Sequence, residues 1–125
     1  MTSNNMRRIL LVDDEKDSGY VFELMLKKEG YMVETFTDPI KALSAFKPGY
    51  YDLIVIDYRM SGLNGLGFIQ NVRKIDSLAK AILVTAWEQQ SFGNEFQKWF
   101  IKILGKPVPE EVLVQEVKLA LNEVY

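Results

Sequence analysis

The sequence predicts an α/β fold, a doubly wound, five-stranded parallel sheet with helices on both faces. Five apolar runs of strand length alternate with longer segments of helical period along the 125 residues. The runs are apolar at consecutive positions, which is typical of strands buried on both faces of a parallel sheet. Right-handed crossovers then place the helices in two layers. We expect one domain over residues 1–125, with its core over about residues 7–124 and no output domain in this chain.

The first unit is a strand followed by an amphipathic helix. Arg8–Val12 is the first apolar run, and the helix is predicted over residues 18–29. Gly30 follows this segment and favours a helix stop, because glycine readily adopts the left-handed conformation. The residues that give the segment its helical spacing are Val21, Leu24, Met25 and Lys28.

The second unit is a weaker strand over residues 31–36 and a short helix over residues 40–46. Asp38 and Pro39 mark the start of this helix, because Asp is a favoured N-cap and Pro suits the first helical position. The third strand, Leu53–Ile56, is wholly apolar and is followed directly by Asp57.

The remaining units follow the same alternation. After a glycine-rich loop comes a third helix, then a strand over residues 81–84, a poorly patterned helix over 88–99 and a strand over 100–104. The last helix is predicted to begin at Pro109, with Glu110 and Glu111 favoured in its first turn by the helix dipole. Its apolar stripe consists of Val112, Leu113, Val117, Ala120, Leu121 and Val124.

Composition excludes several classes of function. The chain has no cysteine and no histidine, so disulfides, zinc fingers, Cys nucleophiles and Ser-His-Asp catalysis are excluded. Any metal would be a hard cation bound by oxygen. The net charge of -2 gives no basis for direct nucleic-acid binding. The apolar run after the polar N-terminus is too short for a signal peptide or a membrane helix, so we expect a cytoplasmic protein.

Polar residues follow the strands at the edge where open parallel sheets bind ligands. They are Asp13, Asp14, Asp57, Thr85 and Lys106. Three close carboxylates repel one another and call for a cation, and Mg²⁺ is the hard ion that accepts carboxylates and keeps waters. Together with a hydroxyl and an ammonium, such a site is equipped for phosphoryl transfer to a carboxylate.

Four motifs in this order resemble the receiver domain of two-component response regulators, over essentially the whole chain. The motifs are Val12-Asp13-Asp14-Glu15, Ile56-Asp57-Tyr58-Arg59-Met60 with Gly65 downstream, Val84-Thr85-Ala86, and Lys106-Pro107. The resemblance, to the single-domain chemotaxis-regulator type, implies a flavodoxin-like sheet of strand order 2-1-3-4-5. It also implies that Asp57 accepts a phosphoryl group from a sensor histidine kinase, a phosphotransfer protein or a small phosphodonor.

The resemblance also implies a role for each further site residue. Mg²⁺ (or Mn²⁺) would be held by the carboxylates of Asp13, Asp14 and Asp57 and by the backbone carbonyl of Arg59, with Asp14 as the direct ligand and Asp13 acting more through water. Lys106 would pair with the phosphoryl oxygens, and Thr85 and Ala86 would form the phosphoryl-binding switch. Pro107 matches a cis-proline.

Two departures from the family pattern and two residues at variable positions are relevant to the switch. Ile103 stands where many members carry Tyr or Phe as the partner of the switch hydroxyl. Ser61 follows Met60 where Pro is usual. Arg59 and Trp87 match variable positions that flank the phosphoryl group, and a long cation and an indole there predict slow self-dephosphorylation.

The leading interpretation is a switch that binds a downstream protein through the face formed by the fourth helix, fifth strand and fifth helix. Monomer and phosphorylation-dependent dimer both stay open, as do an independent protein and a piece of a longer regulator or hybrid kinase. The alternative is a receiver-like binding module that works without phosphorylation. A dehalogenase-type phosphatase would need Asp in place of Arg59, and a flavodoxin would not place an acidic cluster where flavin phosphate binds, so both are disfavoured.

Overall fold

The computed structural model describes residues 6–86 and 93–123, in which five strands alternate with five helices. The strands are β1 (Arg8–Val12), β2 (Met32–Phe36), β3 (Leu53–Ile56), β4 (Ala81–Thr85) and β5 (Lys102–Gly105). The helices are α1 (Lys16–Lys28), α2 (Pro39–Ala45), α3 (Gly65–Ile75), α4 (Asn94–Gln97) and α5 (Glu110–Ala120). All strand pairs are parallel and the order is β2-β1-β3-β4-β5, which confirms the predicted fold class and strand order.

The strand register brings the carboxyl ends of the central strands to one edge. Val12 of β1 pairs with Ile56 of β3, and the backbone N–H of Asp57 donates to the carbonyl of Val12 at 3.0 Å. At the next pair, Thr85 of β4 lies opposite Gly105 of β5. The residues that follow these strands are therefore neighbours in space, although they are far apart along the chain.

Two apolar cores lie on the two faces of the sheet. Successive residues of a strand point to opposite faces, so Ile9 and Leu11 pack with α1 and α5, whereas Leu10 and Val12 pack with α2 and α3. Ile9–Val12 of β1 and all residues of β3 and β4 are almost fully buried. This arrangement explains why these strands are apolar at consecutive positions, with polar residues at one end of β1 (Arg8) and one end of β4 (Thr85).

The sheet-facing side of α1 differs from the predicted one. Val21 and Leu24 are 46% and 50% exposed, whereas Gly19, Phe22 and Leu26 are buried. The segment carries apolar side chains on two sides, and the side with Phe22 and Leu26 packs in the core. Gly19 lies on the same side, where a Cβ would be in ordinary van der Waals contact with the Cβ of Asp13, at 3.6 Å. In α5, Val112 is likewise exposed, and the rest of the predicted stripe that the structure describes is buried.

The helix predicted over residues 88–99 is shorter in the structure. The described part is helical only over Asn94–Gln97, and residues 87–92 lie outside the described residues. β5 begins at Lys102 rather than at residue 100, because the N–H of Phe100 donates to the carbonyl of Gln97 at 3.1 Å, in the turn that follows α4. Arg73 of α3 also binds this segment, with its guanidinium donating to the carbonyls of Ala79 at 2.9 Å and Trp99 at 2.8 Å.

The predicted helix signals agree with the structure except at Pro109. Asp38 caps α2 by accepting from the N–H of Ile40 at 2.9 Å, with Pro39 at the first helical position. Gly30 follows α1 with a φ of +94°, as its predicted role requires. Pro109 is the N-cap of α5 and has extended backbone, so the helix begins one residue later than predicted. No helix in residues 6–86 or 93–123 is long and apolar enough to cross a membrane.

Tyr31 links Glu123, after α5, to the start of β2, and its ionisation lowers the stability of the domain at alkaline pH. Its buried hydroxyl donates to Glu123 at 2.7 Å. Burial, and then this hydrogen bond, raise the pKa of Tyr31 above its ordinary value of 10.0. Because the folded pKa is raised, the stabilisation is complete below about pH 10 and is lost as pH rises further.

We therefore expect Tyr31→Phe to lose about 1 kcal/mol of unfolding free energy at pH 8, where the hydrogen bond is intact. The variant should lose less further stability than the parent between about pH 9 and pH 11. Urea midpoints across this range test the expectation, with the exposed Tyr20→Phe as control. Parallel pH profiles for the parent and Tyr31→Phe would contradict it.

Candidate functional site

Two carboxylates and one ammonium meet at the carboxyl edge of the sheet. The Nζ of Lys106 donates to Oδ2 of Asp13 and to Oδ2 of Asp57, each at 3.0 Å. Their side chains are 16%, 2% and 12% exposed, in that order. The three residues follow different strands: the register of β1 with β3 makes Asp13 and Asp57 neighbours, and the long side chain of Lys106 reaches both from the end of β5. Lys106 thereby pairs two negative charges that would otherwise repel each other in a poorly solvated site.

The other oxygen of each carboxylate is held by the backbone. Oδ1 of Asp13 accepts from the N–H of Glu15 at 3.0 Å, at the start of α1. Oδ1 of Asp57 accepts from the N–H of Tyr58 at 2.7 Å. Each carboxylate therefore has one oxygen on a backbone donor and one on Lys106, and this fixes its orientation.

In this site the pKa of Asp57 and the pKa of Lys106 are both raised. Burial raises the pKa of Asp57, and hydrogen bonding to Lys106 opposes this effect without cancelling it. Burial by itself lowers the pKa of Lys106, but the hydrogen bonds to Asp57 and Asp13 outweigh it, so the pKa is raised. Lys106 is thus firmly cationic, and the Asp57 carboxylate is more basic than an exposed one and would be stabilised by further positive charge.

The third carboxylate faces a different group. Asp14 is exposed, and its Oδ2 accepts from the N–H of Ser61 at 3.1 Å in the loop after β3. Among residues 6–86 and 93–123, no three acidic side chains are grouped as a ready-made metal site, since Lys106 lies between Asp13 and Asp57. The donor set still fits Mg²⁺, because it consists of oxygen atoms and the exposed Asp14 can turn without disturbing the core. A hollow of about 430 Å³ opens beside Asp14 and is lined in part by Arg59.

The other residues singled out from the sequence lie around this centre. Thr85 is buried, and its carbonyl accepts from the N–H of Lys106 at 2.8 Å; Ala86 follows it and is exposed. The Lys106–Pro107 peptide bond is cis. Ile103 is half-buried on the α2–α3 side of the sheet. Trp87 lies outside the described residues.

Gly65 has a role at the site that the sequence reasoning did not assign. Its N–H donates to the carbonyl of Tyr58 at 2.8 Å. A Cβ at this position would lie 2.5 Å from the backbone oxygen of Asp57 and 3.1 Å from the Cα of Tyr58. The first residue of α3 therefore packs directly on the backbone of the phosphoacceptor candidate. The available signal was a glycine directly after Asn64, which caps α3 through the N–H of Gly67.

A second hollow, of about 530 Å³, lies at the amino ends of β1 and β2. Its lining includes Arg8 and Tyr50, which pair with the guanidinium carbon 4.4 Å from the ring centre. None of the charged groups at the carboxyl edge contributes to it. The chemistry therefore points to the carboxyl edge and not to this more spacious hollow.

Comparison with known proteins decides the family. A sequence model described as the response regulator receiver domain matches residues 9–118. The chain belongs to this family. As a receiver domain of two-component response regulators, it has the fold predicted from its strand pattern, and the comparisons confirm the resemblance that the four motifs indicated.

Relatives of this receiver domain include longer regulatory proteins. The chain is 38% identical over 118 residues to the transcriptional regulatory protein YkoG of Bacillus subtilis, covering 92% of this chain and 51% of YkoG. It is 36% identical over 81 residues to the response regulator ArlR of Staphylococcus aureus, covering 65% of this chain and 36% of ArlR. The matched part thus spans about half or less of these proteins.

Solved structures show the same architecture. The response regulator TrrA of Thermotoga maritima, solved in complex with Mg(2+)-BeF, is 33% identical to this receiver domain, with a TM-score of 0.84. That match covers 93% of this chain and 100% of the TrrA chain. A receiver domain from Clostridium thermocellum has a TM-score of 0.85 at 22% identity, covering 94% of this chain and 95% of its own, and so shows the fold alone.

Proposed function

We propose that Asp57 accepts a phosphoryl group and that its phosphorylation switches a protein-binding surface of the domain. The observation that carries this proposal is the buried Lys106 ammonium, which bridges Asp57 and Asp13 at 3.0 Å at the carboxyl edge of the sheet. A purely structural role does not explain why these three charges are buried, because the free-energy cost of removing charges from water leaves a buried ion pair with little net stabilisation. Donors of the phosphoryl group would be a sensor histidine kinase, a phosphotransfer protein or a small phosphodonor.

The chemical step uses the Asp57 carboxylate as nucleophile. One of its oxygens forms a bond to phosphorus, the phosphorus–nitrogen bond of a phosphohistidine donor breaks, and the imidazole leaves with the electron pair and takes a proton. The N–H of Tyr58 orients the carboxylate, since it already holds Oδ1 at 2.7 Å. Lys106 then pairs with the phosphoryl oxygens, and Thr85 and Ala86 lie at the same edge to contact them.

The residues that would hold a divalent cation are Asp13, Asp14 and Asp57, together with the backbone carbonyl of Arg59. Bound Mg²⁺ or Mn²⁺ supplies positive charge that neutralises the oxygens of the transferred group. Support comes from the oxygen-only donor set and from TrrA, which was solved in complex with Mg(2+)-BeF. Asp14 can join the other carboxylates by leaving the Ser61 N–H, because its side chain is at the surface.

Intact mass spectrometry after incubation with Mg²⁺ and an acyl phosphate or amidophosphate donor tests the proposal. The parent should gain one phosphoryl group, and both Asp57→Asn and removal of Mg²⁺ should abolish the gain. Asp52→Asn is the matched control, since Asp52 flanks the opposite end of β3 and binds the N–H of Arg8. No uptake by the parent, or equal uptake by Asp57→Asn, would refute the proposal and favour a module that binds its partner without phosphorylation.

The downstream partner in this proposal is a protein that binds the face formed by α4, β5 and α5. Part of this face is exposed and apolar, at Ile101 and Leu119. The matching regulators YkoG and ArlR are longer than the matched segment, so the partner can also be a domain of the same polypeptide in such proteins. Whether this receiver domain acts as a monomer or as a phosphorylation-dependent dimer is part of the same proposal.

Arg59 and Trp87 are expected to slow the loss of the phosphoryl group. Arg59 is exposed and lines the hollow beside Asp14, where its cation can pair with phosphoryl oxygens and hinder water. The double variant Arg59→Ala/Trp87→Ala should shorten the phosphoaspartate half-life by roughly fivefold, equivalent to about 1 kcal/mol. A mass-spectrometric time course after donor removal measures it, with Arg59→Lys as the charge-retaining control. An unchanged half-life in the double variant would show that neither side chain protects the group.

A further inference from the structure

Phe96 packs the short helix α4 against the rest of the domain. Asn94, Glu95 and Gln97 are exposed, and only Phe96 turns inward. The Phe96 ring lies 5.4 Å from the ring of Tyr58, at an interplanar angle of 64°. It also lies 5.4 Å from the ring of the buried Phe100. A helix of four residues is not stable by itself, so the position of α4 depends on its packing, and the two ring contacts of Phe96 are part of that packing.

Tyr58 is also attached to the proposed phosphoacceptor. Its N–H donates to Oδ1 of Asp57 at 2.7 Å, and its carbonyl accepts from Gly65 at 2.8 Å. The backbone of Tyr58 is therefore held by the site, and its ring contacts α4. One residue thus touches both the reacting carboxylate and the only inward side chain of the helix.

We propose that Tyr58 is a positioning residue that couples the state of Asp57 to the position of α4 through the ring of Phe96. This inference rests on the proposed phosphorylation of Asp57. When the carboxylate becomes an acyl phosphate, it loses the negative charge that strengthens its hydrogen bond to the Tyr58 N–H. The backbone at Tyr58 is then less constrained, and its edge-to-face contact transmits the change to Phe96. Ile103 packs on the same cluster, but its branched side chain has few rotamers available for such a response.

Amide NMR spectra of the full chain, recorded with and without Mg²⁺ and beryllofluoride, test this coupling. In the parent, the amides of Thr85, Lys106 and residues 94–97 should all shift. In Tyr58→Leu and Phe96→Leu, the shifts of residues 94–97 should fall by roughly half or more, while those of Thr85 and Lys106 persist. Tyr58→Phe keeps the ring and should behave as the parent. Tyr20→Leu, at an exposed tyrosine of α1, is the control for loss of a surface ring.

The double variant Tyr58→Leu/Phe96→Leu should reduce the α4 shifts no further than either single variant, because both changes break one contact. Phe96 lies on a surface helix, and Phe96→Leu keeps an apolar side chain, so we expect this variant to fold. If Tyr58→Leu does not fold, the same measurement on Phe96→Leu tests the inference. Full α4 shifts in the folded leucine variants would overturn the inference while leaving the proposed function intact. An absence of shifts at Thr85 and Lys106 in the parent would instead overturn the proposed function, and the inference with it.

Discussion

Replacing Lys106 with methionine is expected to lower the free energy of unfolding by about 3 kcal/mol at neutral pH. The substitution keeps the length of the side chain but leaves Asp13 and Asp57 in a poorly solvated site without their shared cation. For a domain of this size the melting temperature should fall by roughly 10 °C. Thermal melts and urea titrations of the parent and the variant measure the effect directly.

The cause of that loss can be separated from a general loss of packing. The double variant Lys106→Met/Asp57→Asn should recover part of the stability, because one of the two unpaired charges is gone. Lys106→Met should also lose less stability relative to the parent at acid pH, where Asp57, whose pKa is raised by burial, is protonated. Lys102→Met is the matched control, since Lys102 is a half-exposed residue of β5 whose ion pair with Glu116 is long, at 3.8 Å. Equal losses for Lys106→Met and Lys102→Met would contradict the argument.

Gly65→Ala is expected to destabilise the domain by about 3 kcal/mol and to impair phosphoryl uptake. The new Cβ would lie 2.5 Å from the backbone oxygen of Asp57 and 3.0 Å from a methyl carbon of Leu83. The contact at 2.5 Å involves backbone, so rotation of a side chain cannot relieve it. Either α3 or the backbone of Asp57 must shift, and the second shift would displace the nucleophile. Urea midpoints and intact mass after incubation with the phosphodonor report the two effects.

Gly67→Ala is the control for this experiment, because it adds the same methyl group two residues further along in α3. Its closest contact is the Cδ1 of Leu63 at 2.8 Å, and this is the end of a side chain that can move. Alanine is also favoured over glycine within a helix by about 0.5–1 kcal/mol. Gly67→Ala should therefore be neutral or stabilising and should keep phosphoryl uptake. Similar midpoints for the two alanine variants would show that the close approach at Gly65 is relieved at no cost.

The strands could be predicted well because their burial leaves a strong pattern. β1 and β3 are apolar along their whole inner length, and their predicted bounds agree with the structure. The side of α1 that faces the sheet could not be read in the same way. Its apolar residues lie on two sides of the helix, and the choice depends on the tertiary packing of Phe22 and Leu26 in the core. The end of the predicted fourth helix was misplaced because Phe100 packs into the core and Arg73 binds the preceding carbonyl.

For the candidate site, the sequence could supply the residue types and their edge of the sheet. The rule that parallel strands present their carboxyl ends together is enough to group Asp13, Asp57 and Lys106. It does not reveal that Lys106 lies between the two carboxylates, or that Asp14 turns to Ser61. Those choices depend on side-chain rotamers and loop geometry. The contact between Tyr58 and Phe96 joins positions far apart along the chain and leaves no periodic signal.

The two hydrogen bonds of Arg73 affect which residues between α4 and β5 can be substituted, in evolution or in a combinatorial library. The guanidinium binds carbonyl oxygens, at positions 79 and 99, and every amino acid supplies such an oxygen. Substitutions at Ala79 or Trp99 would thus preserve both bonds, although a change at Trp99 would remove its ring contact with Arg73, 5.4 Å away, and its packing on the core. The segment between α4 and β5 is therefore anchored by a backbone carbonyl bound to Arg73 as well as by the buried side chain of Phe100. New partner specificities can be selected there by randomising exposed positions such as Lys98 and Ile101, while Arg73 is held constant.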